Sequence, residues 1–214
     1  MFSFQNDHHS MNKDFWNQRY SANDYAYGKT PNVFFAEQLR QIPPGKILLP
    51  ADGEGRNSVF AATLGWEVVA FDISSEGKLK AEQLAEEHNV SIKYLVGDLE
   101  SLDLEPQSFD AMALIYAHFP PPIKSKYHQL LQKYLKSNAV VILEAFSKTH
   151  LPYRMENPKV GGPNNLEMLF SEAEVKADFE SFEIQLLVDT EVELQEGNFH
   201  IGKGKVIRFV GKKR

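Results

Sequence analysis

The residues best suited to chemistry form one run, Ile47-Leu48-Leu49-Pro50-Ala51-Asp52-Gly53-Glu54-Gly55-Arg56-Asn57, in which a β-rich segment passes through two glycines into a helical pattern. Gly53 and Gly55 let the backbone turn tightly and approach a ligand, and the helix that follows opens with N–H groups that lack intrahelical partners. Nineteen residues after Gly53, Asp72 ends the next β-rich run. At that spacing a carboxylate accepts hydrogen bonds from both hydroxyls of a ribose. A third carboxylate, Asp98 in Val96-Gly97-Asp98-Leu99, follows a third run and suits acceptance from an adenine amino group. Three strand ends thus point to one nucleotide-like ligand.

Charge narrows the ligand. A dinucleotide fingerprint wants small neutral residues around its pyrophosphate, whereas this turn carries Asp52 and Glu54 and has Ser58 in the place of the third glycine. At ~4 Å and an effective dielectric of ~20, each like-charge contact costs about 4 kcal/mol. S-adenosylmethionine has no phosphate and carries an ammonium and a sulfonium, both of which favour nearby carboxylates. Two readings stand beside it: a nicotinamide-dependent oxidoreductase on a related sheet, and a noncatalytic cofactor-binding module.

The elements that must position these residues alternate. Short β-rich runs at Lys46 to Leu49, Glu67 to Phe71, Ile92 to Val96, Phe109 to Ile115 and Ala139 to Glu144 are separated by helical patterns at Asn57 to Leu64, Ser75 to Glu87 and Ile123 to Leu135. That alternation predicts an α/β fold with a mainly parallel sheet. Ser171 followed by Glu174 is a capping box and predicts a late helix, Ser171 to Phe179. Phe182 to Val192 and Lys205 to Val210 read as a closing hairpin joined through Glu196 to Gly204, so one strand should run antiparallel. The 214 residues read as one domain, with a flexible tail over 1–12 and an N-terminal helical lid over 13–41.

Composition removes other chemistries. With 43% hydrophobic and 24% charged residues the chain is an ordinary globular one, long enough for a sizeable core. No cysteine is present, which excludes disulfides, thiolate zinc sites, iron–sulfur clusters and a cysteine nucleophile, and accords with a cytoplasmic location. A formal charge of −6 speaks against nucleic-acid or anionic-membrane partners. The N-terminus lacks the basic and apolar regions of a secretion signal, and the apolar runs fall short of the ~20 residues that span a bilayer. His8-His9 has no third ligand at metal spacing, so no metal site is expected.

Phe15-Trp16-Asn17-Gln18-Arg19-Tyr20, Tyr25-Ala26-Tyr27-Gly28-Lys29-Thr30-Pro31-Asn32, the Gly53 to Asn57 turn, Gly161-Gly162-Pro163 and Leu194-Gln195-Glu196-Gly197-Asn198-Phe199-His200-Ile201-Gly202 together resemble the tellurite-resistance and thiopurine-type branch of class I S-adenosylmethionine-dependent methyltransferases. The resemblance implies a Rossmann-like three-layer sandwich around a seven-stranded sheet of order 3-2-1-4-5-7-6 with strand seven antiparallel. Carried across by position, Gly53 and Gly55 lie along the methionine part of the cofactor, Asp72 holds the ribose, and Asp98 with Leu99 borders the adenine. Ala51, Asp52, Glu54, Arg56, Asn57, Ile73, Ser74, Gly97, Tyr116 and Ala117 complete the expected cofactor wall. The chain departs from the family's usual D-x-G-x-G at Leu49 and Ala51, and Asp52 is the candidate for the missing acid.

Ligands of an open parallel sheet bind outside the carboxyl ends of its strands, so acceptor walls are expected from Tyr116 to Pro122, Ser147 to Asn165 and Gly197 to Gly204. Methyl transfer to an already activated carbon needs alignment above all, and a base only for a protonated acceptor. His200, His118 and Tyr27 are the candidates for contact with that acceptor, a small molecule such as a thiol or a chalcogen compound. Oxyanion methylation fits less well, because Ile201 follows His200 where the tellurite-methylating relatives are arginine-rich. A monomer or weak homodimer is expected.

Overall fold

The computed structural model describes residues 5–214, with side chains from Lys13 onward. Helices α1 (Gln5–Tyr20) and α2 (Val33–Leu39) precede strand β1 (Lys46–Pro50). There follow α3 (Arg56–Thr63), β2 (Glu67–Asp72), α4 (Ser75–Glu87), β3 (Lys93–Val96), β4 (Phe109–Ile115), α5 (Lys124–Leu131) and β5 (Leu135–Phe146). The chain closes with α6 (Leu151–Glu156), α7 (Glu172–Asp178), β6 (Phe182–Glu196) and β7 (His200–Lys213). The expected tail over 1–12 is helical from Gln5. Residues 1–4 and the side chains of His8 and His9 lie outside the described residues.

The seven strands form one sheet of order β3-β2-β1-β4-β5-β7-β6. β1 to β5 pair in parallel, and β7 runs antiparallel to β5 and to β6. The sequence of the central strands follows from burial on both faces, which removes polar residues and leaves continuous apolar runs. In β1, Leu48 faces a layer with Met112, Leu114, Val141 and Phe209, covered by Tyr127 and Leu131 of α5 and Val175 of α7. Its neighbours Ile47 and Leu49 face the opposite layer with Ala70, Ala113 and Ile142, under Phe34 and Phe35 of α2, Ala61 of α3 and Ala81 of α4.

Local features of the turns and helix starts fix the framework of the site. Ser74 caps α4 by accepting from the Gly77 N–H at 3.0 Å, and Ser171 with Glu174 forms a reciprocal capping box at α7. At the start of α3, Gly55 has φ +87°, and a Cβ there would lie 2.5 Å from the Cβ of Ala81. The glycine therefore serves both a left-handed cap and the close approach of α3 to α4. β1 neighbours β2 on one side and β4 on the other, so the chain reverses its winding at β1/β4 and leaves a crevice at their carboxyl ends. Ala51 and Tyr116, the residues that follow β1 and β4, both have positive φ, 51° and 54°. Left-handed backbone at non-glycine residues costs of order 1–3 kcal/mol and concentrates at functional sites.

Candidate active site

On one side of the crevice the three expected strand ends come together. Asp72 accepts from the Gly53 N–H through Oδ2 at 3.1 Å and from the Ser74 N–H through Oδ1 at 2.9 Å. Burial pushes its carboxyl up to about 6, against the pull of those N–H groups. The Gly97 N–H donates to the Asp72 carbonyl, and Asp98 caps the turn Leu99–Ser101 while accepting the Tyr127 hydroxyl. Leu99 is buried, and Ile73 lies between Asp72 and Ser74.

Asp52 sits on the turn after β1. Its Oδ2 is buried without a hydrogen-bond partner among the described residues, and burial raises its carboxyl to about 7. A buried carboxylate oxygen without a partner is costly unless something cationic meets it. With Asp72 next to it, this pair of acceptors suits a ligand that brings a diol and an ammonium, and opposes a pyrophosphate. An S-adenosylmethionine-type cofactor fits these residues.

Three residues expected in the cofactor wall also hold other parts of the chain through their side chains. Glu54 pairs with Lys80 at 2.7 Å and accepts the Ala26 N–H at 2.8 Å, so its carboxylate ties the N-terminal loop to α4. Arg56 pairs with Glu196 at 3.0 Å and donates to the Tyr27 carbonyl. Asn57 accepts the Asn32 N–H through Oδ1. The charge on the glycine turn is thus spent largely on holding the residues above it, because burial demands a partner for each charged group.

Tyr20 closes the glycine turn: its hydroxyl oxygen would lie 2.7 Å from a Cβ on Gly53. Asn17 accepts from the Ser74 hydroxyl at 2.7 Å, fixing the last turn of α1 over the start of α4. Sequence patterning does not reveal Tyr20 and Asn17, or Lys80, Glu144 and Asn32. Their partners are distant in the chain, and the one available signal, position within the family-like segments, covers Asn17, Tyr20 and Asn32 but not Lys80 or Glu144.

On the other side of the crevice, aromatic rings gather around Phe146. His200 is buried, with ring centroids 4.5 Å from Tyr27, 4.6 Å from Tyr116 and 5.2 Å from Phe146. Its Nδ1 lies 2.8 Å from Glu196 Oε2, and burial pulls its pKa below the ordinary histidine value despite that carboxylate. The Tyr116 hydroxyl donates to Glu144 Oε1 at 2.8 Å, and Ala117 is packed into the core. The Tyr27 hydroxyl accepts from Arg19, whose guanidinium stacks on Phe199 at 3.9 Å.

His118 is placed against the same Phe146 ring, with both nitrogens occupied. Nδ1–H donates to the Met168 carbonyl at 3.0 Å and Nε2 accepts the Phe146 N–H at 3.3 Å. Burial holds it down to about 4, so it is neutral and fastened. His150, which sequence reasoning missed, stacks on Phe146 at 4.2 Å, donates from Nε2 to the Gly161 carbonyl and accepts the Lys205 N–H at Nδ1. Among the described residues no group of three or more His, Cys, Asp or Glu is arranged to hold a metal ion. None of the described helices is long and apolar enough to cross a membrane.

Residues 47–138 match the methyltransferase domain family. No curated protein matches the chain. Among solved structures, the protein described for conversion of a disulfide bond into a thioacetal group during echinomycin biosynthesis superposes with TM-score 0.75 at 14% identity, over 94% of this chain and 92% of that one. TehB from Haemophilus influenzae gives 0.70 at 16% identity, over 94% and 67%. Magnesium protoporphyrin IX methyltransferase from Synechocystis with bound S-adenosylhomocysteine gives 0.67 at 16%, over 96% and 99%. At such identities the likeness speaks for the fold, and its strand order is the one described above. Residues 47–138 are thus similar to the methyltransferase domain family, and the chain as a whole has the fold of the class I S-adenosylmethionine-dependent methyltransferases.

Proposed function

We propose that the protein transfers a methyl group from S-adenosylmethionine to a small acceptor that arrives with an ionisable X–H bond, a thiol or hydrogen chalcogenide. The observation that carries the cofactor is the Asp72 carboxylate, which accepts from Gly53 and Ser74 at the β1/β2 end of the crevice next to the unpartnered Oδ2 of Asp52. Asp72 would hold the ribose, Asp52 the ammonium, and Asp98 with Leu99 the adenine edge. When bound, the cofactor supplies a methyl carbon already activated by its sulfonium.

The acceptor class rests on the far side of the crevice. Tyr27, Tyr116 and Phe146 surround a neutral His200, which suits removal of a proton rather than capture of an anion. The guanidiniums around the hairpin turn already have partners: Arg19 lies on the Phe199 ring and donates to the Tyr27 hydroxyl, Arg56 pairs with Glu196, and Arg154 donates to the Gly162 carbonyl. An oxyanion acceptor would therefore have to compete with these contacts for a guanidinium. His118 supports the wall and takes no part in proton transfer.

Calorimetry with S-adenosylhomocysteine tests the cofactor directly, and folded protein that shows no binding would refute the reading. A panel of small thiols, selenite and tellurite, scored by conversion of S-adenosylmethionine to S-adenosylhomocysteine, tests the acceptor. Thiol turnover without turnover of the oxyanions is the expected result.

A further inference from the structure

Three histidines pack on Phe146, and hydrogen bonding separates their roles. His118 and His150 each give one nitrogen to a backbone carbonyl and the other to a backbone N–H. Neither retains a lone pair or a proton to offer. His200 differs: Nδ1 meets Glu196, and Nε2 has no hydrogen-bond partner among the described residues.

Glu196 is itself held from three directions. Its Oε1 accepts from Asn32 Nδ2 at 3.1 Å, while Oε2 accepts from Arg56 at 3.0 Å and from His200. It ends β6 directly opposite His200 at the start of β7, so the hairpin places the two as a cross-strand pair. Arg56 and the histidine outweigh burial and hold the Glu196 carboxyl down at about 2, so the group is a carboxylate and His200 Nδ1 must carry the proton it shares.

We propose that Glu196 is a positioning residue that fixes His200 as the Nδ1–H tautomer and leaves Nε2 as the base for the methyl acceptor. This rests on the proposed methyl transfer. The acceptor's X–H bond breaks and its proton passes to Nε2. The pair left on X forms the bond to the methyl carbon, and the carbon–sulfur bond leaves its pair on sulfur, so charge and atoms balance. The imidazolium that results is stabilised by the carboxylate across the hairpin. The other charged or titratable groups around His200 are Tyr27 from the N-terminal loop, Arg56 from α3, Tyr116 and His118 after β4, Glu144 from β5, and His150.

The test uses the cofactor-free full chain with labelled histidines. Nitrogen–proton correlations of the wild type should show His200 protonated at Nδ1, and an Nε2–H tautomer overturns the proposal without any variant. Glu196→Gln removes the charge, which should lower the His200 midpoint by about one pH unit or more. Glu196→Asp should recover part of that shift. With a thiol that the wild type methylates, Glu196→Gln should lose roughly tenfold or more in kcat, while S-adenosylhomocysteine affinity is retained. A purely structural Glu196 would change thermal stability and leave the His200 midpoint in place, and that outcome overturns the proposal. Failure of the wild type to bind S-adenosylhomocysteine refutes methyl transfer instead, and leaves the tautomer and midpoint results standing on their own.

Discussion

Lys80 Nζ lies 2.7 Å from Glu54 Oε1, in an ion pair whose side chains are only 10% and 3% exposed. The same ammonium donates to the Asp24 carbonyl at 2.7 Å, and the other Glu54 oxygen accepts the Ala26 N–H. One pair therefore joins the glycine turn, α4 and the loop that covers them. Breaking a buried pair from one side leaves an uncompensated charge and costs about 3–5 kcal/mol, more than the pair itself is worth. Lys80→Met should lose stability on that scale in urea denaturation, and Lys80→Met with Glu54→Gln should recover most of it. Burial already raises the Glu54 carboxyl, with Lys80 opposing, so without Lys80 the defect should shrink as pH falls and the carboxyl protonates.

Asp72 is placed both to hold a ligand and to hold the turn. Asp72→Ala should weaken S-adenosylhomocysteine binding by about 1.5–3 kcal/mol, the scale of hydrogen bonds to a charged group. The Gly53 and Ser74 N–H groups lose their acceptor in the same variant, so thermal stability should fall as well. Asp72→Asn keeps one carbonyl acceptor and should separate the effects, with affinity reduced and stability closer to wild type. Unchanged affinity in both variants would remove Asp72 from the site.

The pH dependence follows from two buried carboxyls. In the folded protein Asp52 stands at about 7 and Asp72 at about 6, both raised by burial above the ordinary value of 3.8. A carboxyl raised on folding contributes stability that is fully present below its unfolded pKa and is lost as pH rises through the folded one. Cofactor-free protein should therefore melt progressively lower between about pH 4 and pH 7, and Asp52→Asn should flatten that slope. Ligand affinity runs the other way. An ammonium binds the ionised carboxylates, so S-adenosylhomocysteine affinity should rise about tenfold or more from pH 5 to pH 7. Calorimetry in buffers of different ionisation enthalpy should show protons released on binding.

The order of elements and the convergence of Gly53, Asp72 and Asp98 were legible in the sequence, because both arise from local rules: burial of parallel strands on two faces, and turn chemistry at their ends. Strand lengths were less so. β6 and β7 run on to Glu196 and from His200, well past the expected Val192 and Lys205. Gly202 and Gly204 read as a turn, yet Gly204 lies within β7 where the His150 ring approaches, 3.2 Å from the position of a Cβ. β5 likewise begins at Leu135 rather than Ala139, its polar Lys136 being matched by Asp110 at 2.8 Å. The commitment of Glu54, Arg56 and Asn57 to Lys80, Glu196 and Asn32 was not legible, since each pairing joins residues 25 or more positions apart and leaves no periodic trace.

Gly161 offers a test of how tightly the acceptor side is built. Its φ is +79°, its carbonyl accepts from His150, and a Cβ there would lie 2.4 Å from the Phe199 carbonyl oxygen and 2.6 Å from His200 Cδ2. Gly161→Ala thus combines left-handed strain with two contacts that neither backbone nor ring can absorb without moving. Gly65 supplies the control: its φ is +86° and nothing lies within 4 Å of its Cβ position. Gly65→Ala should cost about 1 kcal/mol from backbone conformation alone. Gly161→Ala should cost clearly more, about 2–4 kcal/mol, and should also displace the His200 resonances and lower turnover. Equal stability losses in the two variants would mean that the loop carrying Gly161 yields freely and does not press on His200.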